Sequence, residues 1–214
     1  MARQACPGAT AALTSPHGKG RAAALGRAPT HLPQHNMSKT PPIVLGLDPG
    51  TRYLGFALVR GNELLEFGVK ELKNGERPYD VIGQARRVVL RLIALHAPSV
   101  VAIESPYLLP SPRAAVLSTL TQEIHERAKE TGAEVVELKP EQVRQTLTGN
   151  DKATKYEVAQ WLARERFPEL AALVPKKPKI PALWLTSRER YWLHMFDALA
   201  LACAPTLDIH SGSQ

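Results

Sequence analysis

With 214 residues, 44% of them apolar and 22% charged, the chain is long enough for one domain with a proper core. No apolar run approaches the roughly 18 residues of a membrane span, and the N-terminus lacks the uninterrupted apolar stretch of a secretory signal. The formal charge is +7, but Arg3, Lys19, Arg21 and Arg27 fall in residues 1–36, which hold no acid; the +3 left for the rest argues only weakly for a polyanionic partner. Cys6 and Cys203 are too few and too distant for a metal knuckle or a disulfide framework, so a soluble protein of the reducing cytoplasm is expected.

Residues 1–36 are rich in Ala, Gly, Pro, Ser and Thr, with few large apolar side chains and no period, and are expected to be disordered. Met37 stands just before SKTPPIVLGLD, so this segment is either a basic tail or the product of a mis-assigned start. The domain proper is expected over 37–205, with 206–214 as a second disordered tail.

Ile43–Leu47 carries only branched or small uncharged residues and predicts a strand covered on both faces. Asp48 follows at its tip. Pro49 keeps Asp48 extended, and Gly50 supplies the turn. Leu54–Arg60 and Leu64–Val69 predict two more strands joined through Gly61-Asn62-Glu63, giving three antiparallel strands. From Pro78 to His96 the helical spacing of Val81, Ala85, Val88, Val89, Leu92 and Leu95 predicts an amphipathic helix ended by Ala97-Pro98.

Val100–Ile103 predicts a short buried strand that ends on Glu104, as the first ended on Asp48. A loop through Tyr107 precedes a helix from Pro112 that places Ala114, Leu117, Leu120, Ile124 and Ala128 on one face. Glu134–Leu138 predicts another strand, Pro140–Leu147 a short helix, and Gly149-Asn150-Asp151 a turn into a helix carrying Val158, Trp161 and Leu162. Residues 168–186, broken by four prolines and holding Lys176, Lys177 and Lys179, read as a basic loop. Ser187–Ala204 predicts a final helix, apolar from Tyr191 onward except for His194 and Asp197, whose spacing places them side by side. Three strands followed by alternating helix and strand predict an α/β fold with a mixed sheet.

Asp48, Glu104 and Asp197 each sit at or within an apolar run, where an ionised carboxylate is costly without a partner. Should the three converge at the sheet edge, their repulsion would favour protonation unless a cation intervenes. A divalent ion resolves that conflict. Mg²⁺ or Mn²⁺ suits carboxylates with an added imidazole, and a pair of such ions about 3.5–4 Å apart makes the usual clamp for phosphodiester hydrolysis.

GLDPGT with Asp48, AIE with Glu104, and H-x-x-D-A-L-A-L-A with His194 and Asp197 together resemble the RuvC-type Holliday junction resolvases of the RNase H-like superfamily, over roughly residues 42–204. The resemblance implies an RNase H-like fold, a five-stranded mixed sheet with helices on both faces. It also implies a homodimer that nicks two strands of a DNA junction symmetrically in recombination and repair. It assigns Asp48, Glu104, His194 and Asp197 to the metal-ligand positions, His194 where members use either Asp or His. It makes Lys155 the basic residue near the scissile phosphate and Tyr107 the aromatic near the junction; apart from the resemblance, a turn carrying the two lysines Lys152 and Lys155 is suited to phosphate contact.

After Glu104, family members commonly carry G-Q-A-x-G where this chain reads STLTQEI, at a place where DNA and the dimer partner would sit. The rival reading is therefore the YqgF branch of the same fold, an RNA nuclease of ribosomal RNA processing; a nucleic-acid-binding module without catalysis is a more remote one. The D-x-G-T turn also resembles the phosphate loop of the actin and sugar-kinase superfamily, but that reading requires a second domain for which the chain is too short.

Overall fold

The computed structural model describes residues 40–73, 79–105, 112–176 and 187–211. Residues 1–36, Tyr107, Lys177 and Lys179 lie outside the described residues.

A five-stranded sheet in the order β3-β2-β1-β4-β5 organises the chain. β1 (Ile43–Pro49), β2 (Tyr53–Arg60) and β3 (Glu63–Glu71) form the antiparallel part, while β4 (Val100–Glu104) and β5 (Glu134–Leu138) extend it in parallel from β1. β1 takes the central place that an uncharged run from Ile43 to Leu47 suits: Val44, Leu45 and Leu47 are fully buried. The β2–β3 link is a two-residue turn with Gly61 at φ 57°, a conformation in which a side chain would be strained.

Side-chain parity divides the sheet into two faces. Leu45, Leu47, Leu54, Leu58, Val101 and Ile103 pack beneath α1 (Tyr79–His96) and α2 (Pro112–Glu130). Val44, Ala57, Val59 and Ala102 face α3 (Pro140–Thr148), α4 (Lys155–Glu165) and α5 (Ser187–Ser211). The mixed sheet with helices on both faces is as the sequence led one to expect.

Three local expectations require correction. Residues 168–186 are not all loop: Pro168–Leu173 forms a 3₁₀ helix that buries Leu170 beside Phe167. Proline is well suited to a first helical position, and Leu170 gives the turn an apolar anchor. Leu95 is 64% exposed, and Ile82 and Ile93 take the buried places on α1. At about 100° per residue, the buried arc runs from Val81 round to Ile93, and Leu95 falls about 40° outside it. The final helix continues to Ser211 through Pro205, so part of the segment expected as a tail is helical. Proline leaves the carbonyl one turn back without its usual donor. Locally, the Thr206 hydroxyl donates to the Cys203 carbonyl at 2.7 Å.

Candidate active site

β1 and β4 run parallel with Gly46 opposite Ala102 and Leu47 opposite Ile103, so Asp48 and Glu104 emerge at the same end of adjacent strands. Both share parity with Gly46 and Ala102, and therefore face α5. The approach of α5 to this face is unusually close. A Cβ on Gly46 would meet the Ala198 carbonyl oxygen at 2.0 Å, and one on Gly55, which pairs with Asp48, would meet the His194 carbonyl oxygen at 2.0 Å. Glycine at these two strand positions lets the helix backbone lie against the sheet.

That contact brings His194 to Asp48, with its Nδ1 at 2.5 Å from Asp48 Oδ2. The imidazole is flanked by Tyr53, whose ring centroid is 5.4 Å away, and Tyr191 holds the start of α5 by donating from its hydroxyl to the Val69 carbonyl at 2.8 Å. One turn further along α5, Asp197 pairs with the Lys155 ammonium.

Lys155 is the first residue of α4, fixed by a capping box in which the Thr154 side chain accepts from the Glu157 amide and Glu157 Oε2 accepts from the Thr154 amide at 2.6 Å. A cation at a helix N-terminus opposes the helix dipole, so its placement is explained by the carboxylates it faces and not by helix stability.

The electrostatics bear the strain foreseen for converging carboxylates. Burial pushes Asp197 up to about 6; Lys155 counteracts this and Asp48 adds to it. Burial also raises Glu104, with Asp48 and Asp197 adding to the rise and Lys155 and Arg144 opposing it. Burial would depress Lys155, but Asp197, Asp48 and Glu104 outweigh it and hold the ammonium above its ordinary value. The four groups therefore form one electrostatic unit.

A groove beside them is lined by Glu104, Val143, Arg144, Lys155, Val158 and Asp197, among others. Sequence reasoning missed Arg144. It lies on α3 between core positions and reads there as an ordinary surface arginine; the available signal was that α3 starts right after β5, at the same end of the sheet as Glu104. Lys152 is exposed in the turn before α4, where its amide donates to Asn150 Oδ1 at 3.0 Å, and it stands outside the groove lining.

Among the described residues, no three His, Cys, Asp or Glu side chains stand in a geometry that would hold an ion. The four side chains expected as ligands lie at one sheet end, with Asp48 turned to His194 and Asp197 to Lys155. The donor set itself, three carboxylates and an imidazole with two of the carboxylates pushed toward protonation, has the chemistry of a divalent-cation site.

The family model for the crossover junction endodeoxyribonuclease RuvC matches residues 44–167. The chain belongs to the RuvC family. RuvC of Protochlamydia amoebophila is 32% identical over 182 residues, 80% of this chain and 95% of that protein. RuvC of Campylobacter lari is 32% identical over 126 residues, 56% of this chain and 79% of that protein.

The fold is likewise that of Thermus thermophilus RuvC, with a TM-score of 0.61 at 24% identity over 80% of this chain and 97% of the other. The yeast mitochondrial Holliday junction resolvase Ydc2 matches with a TM-score of 0.54 at 14% identity, covering 82% of this chain and 85% of the other. As a RuvC-family member the protein is a nuclease that hydrolyses phosphodiester bonds. The family-model match ends at Phe167, short of α5 and its His194 and Asp197.

Proposed function

We propose that this protein is a structure-specific endonuclease that cleaves branched DNA of the Holliday-junction type as a homodimer in the cytoplasm, and that Asp48, Glu104, Asp197 and His194 hold its metal. The observation that carries the reading is the convergence of three carboxylates on one face at one end of the sheet, with a cation that stays charged beside them. Divalent-metal dependence is general in the RuvC family. Mg²⁺ or Mn²⁺, bound singly or as a pair, would supply a water nucleophile and neutralise charge on the phosphate.

The chain's own residues perform the rest. Asp48 accepts from His194 and fixes its ring, which leaves Nε2 as the nitrogen available to a ligand. Lys155, freed from Asp197, is positioned to stabilise the negative charge that grows on the phosphate in the transition state. Arg144 provides a second cation along the same groove. Lys152 lies outside the lining and would serve only as a peripheral phosphate contact.

The deciding experiment offers labelled Holliday junction, linear duplex, single-stranded DNA and single-stranded RNA to the purified protein with Mn²⁺, beside Asp48→Asn as a control. Two symmetry-related nicks in the junction, absent in the control, are expected. Degradation of RNA with the junction left whole would replace the substrate assignment by an RNA-processing one.

A further inference from the structure

A second cationic surface lies on the opposite face of the sheet from Asp48. Lys70, Gln84, Arg87, Val88 and Arg91 line an open groove along the seam between β3 and α1. Neighbouring arginines on α1 and α2 are paired with carboxylates: Arg86 with Glu123, Arg127 with Glu130, and Arg91 with Glu66 at 2.7 Å. Lys70 and Arg87 have no carboxylate partner among the described residues, and both are exposed. Lys70 and Arg87 thus bring two unpaired positive charges to a groove whose third cation, Arg91, is held by Glu66.

The seam is also built with a fixed shape. The Gln84 side chain clamps the end of β3, its Nε2 donating to the Lys73 carbonyl at 2.8 Å and its Oε1 accepting from the Lys73 amide at 3.1 Å. This fastens the strand that carries Lys70 to the helix that carries Arg87. Register then locates the seam relative to the active site. Lys70 pairs with Leu54, and Leu54 pairs with Pro49, the residue after Asp48. Two strand spacings put the two backbones about 10 Å apart at the same end of the sheet, with the Lys70 and Asp48 side chains on its opposite faces.

We propose that the β3–α1 seam is a phosphate track that holds the duplex arm leading away from the cleaved strand. The proposal rests on the junction-cleaving reading above and extends it to the flanking DNA. The groove lining holds no aromatic side chain, so it offers phosphate contacts without the stacking surfaces on which unpaired bases are held. A duplex arm is therefore the occupant that fits.

The test compares wild type, Lys70→Glu/Arg87→Glu, and a control with the same change in charge, Lys129→Glu/Arg164→Glu. Affinity for a four-way junction and for linear duplex is measured in EDTA over a range of salt, and single-turnover cleavage at saturating enzyme with Mn²⁺. The seam variant should bind the junction about tenfold or more weakly, with the salt slope reduced by about 2, while the saturated rate stays within about twofold. Trimming the junction arms to a few base pairs should remove the difference from wild type. An affinity within about twofold of wild type, or an equal loss in the control, overturns the proposal. A wild type that ignores junctions would refute the substrate reading separately; the seam is then judged by the same affinity ratio on linear duplex.

Discussion

The cost of gathering carboxylates at one sheet end should be measurable as stability, and Asp197 gives the largest signal. Its carboxyl is pushed from the ordinary 3.8 up to about 6, first by burial and then by Asp48, with Lys155 offsetting part of the rise. Because the folded value lies above the unfolded one, the folded state favours the protonated form, and stability present at low pH is lost as pH rises toward 6. The penalty of ionised Asp197 is about 3 kcal/mol near pH 7.5 and about half of that near pH 5.

Asp197→Asn mimics the protonated form and should therefore stabilise the metal-free protein, by about 1–3 kcal/mol once the loss of the Lys155 pair is allowed for. For a domain of this size that is about 3–10 °C in Tm. Differential scanning calorimetry in EDTA at the two pH values reads it directly, with the gap between variant and wild type larger at the higher pH. Millimolar Mn²⁺ should then raise the Tm of wild type at the higher pH and barely move the variant, since a ligand that binds only the folded state stabilises by mass action. An Asn variant that is less stable than wild type without metal, or a gap that does not change with pH, would refute the reasoning.

Asp48→Asn and Glu104→Gln each keep side-chain volume but remove a ligand charge; cleavage of a labelled junction should fall below detection while electrophoretic binding is kept. Lys155→Ala should lower the saturated cleavage rate by about 10²–10³ with affinity nearly unchanged, because an interaction that strengthens only in the transition state acts on rate; an equal loss of affinity with normal turnover would mark it as a phosphate anchor. Gly55→Ala places a methyl where the His194 carbonyl oxygen lies at 2.0 Å and must push α5 off the sheet. It should cost about 1–3 kcal/mol in urea unfolding and abolish cleavage, even though it removes no ionisable group.

What the sequence made legible follows from the kind of signal each residue leaves. Asp48, Glu104 and Asp197 could be found because a carboxylate within an apolar run is an energetic anomaly, and His194 because three residues on a helix bring it beside Asp197. Lys155 could be placed only through the resemblance. Its signal in the structure is a cation at a helix N-terminus, where the dipole disfavours it, and it becomes intelligible once Asp197 is known to lie opposite. Arg144 left only the positional signal that α3 follows β5 at the Glu104 end of the sheet, because an arginine on a short polar helix costs nothing wherever it points. Leu95 was misplaced because a spacing of three from Leu92 fits a helical face in the abstract, while the buried arc had already been filled by Ile82 and Ile93.

The glycines were the overlooked clue. Gly46 stands in the middle of a buried strand and Gly55 near the start of the next, positions where glycine forfeits both packing and chain entropy. Counted by alternation, Gly46 and Asp48 lie on one face of β1, Gly55 is the cross-strand partner of Asp48, and Ala102 and Glu104 repeat the same small-then-acidic order on β4. A sheet face stripped of side chains next to two carboxylates has room for a helix backbone and for little else. The helix that fills it must bring its own polar residues to that end, and H-x-x-D supplies them. Read in this way, the identity of α5 as the element that completes the site could have been argued from parity alone, before any resemblance was considered.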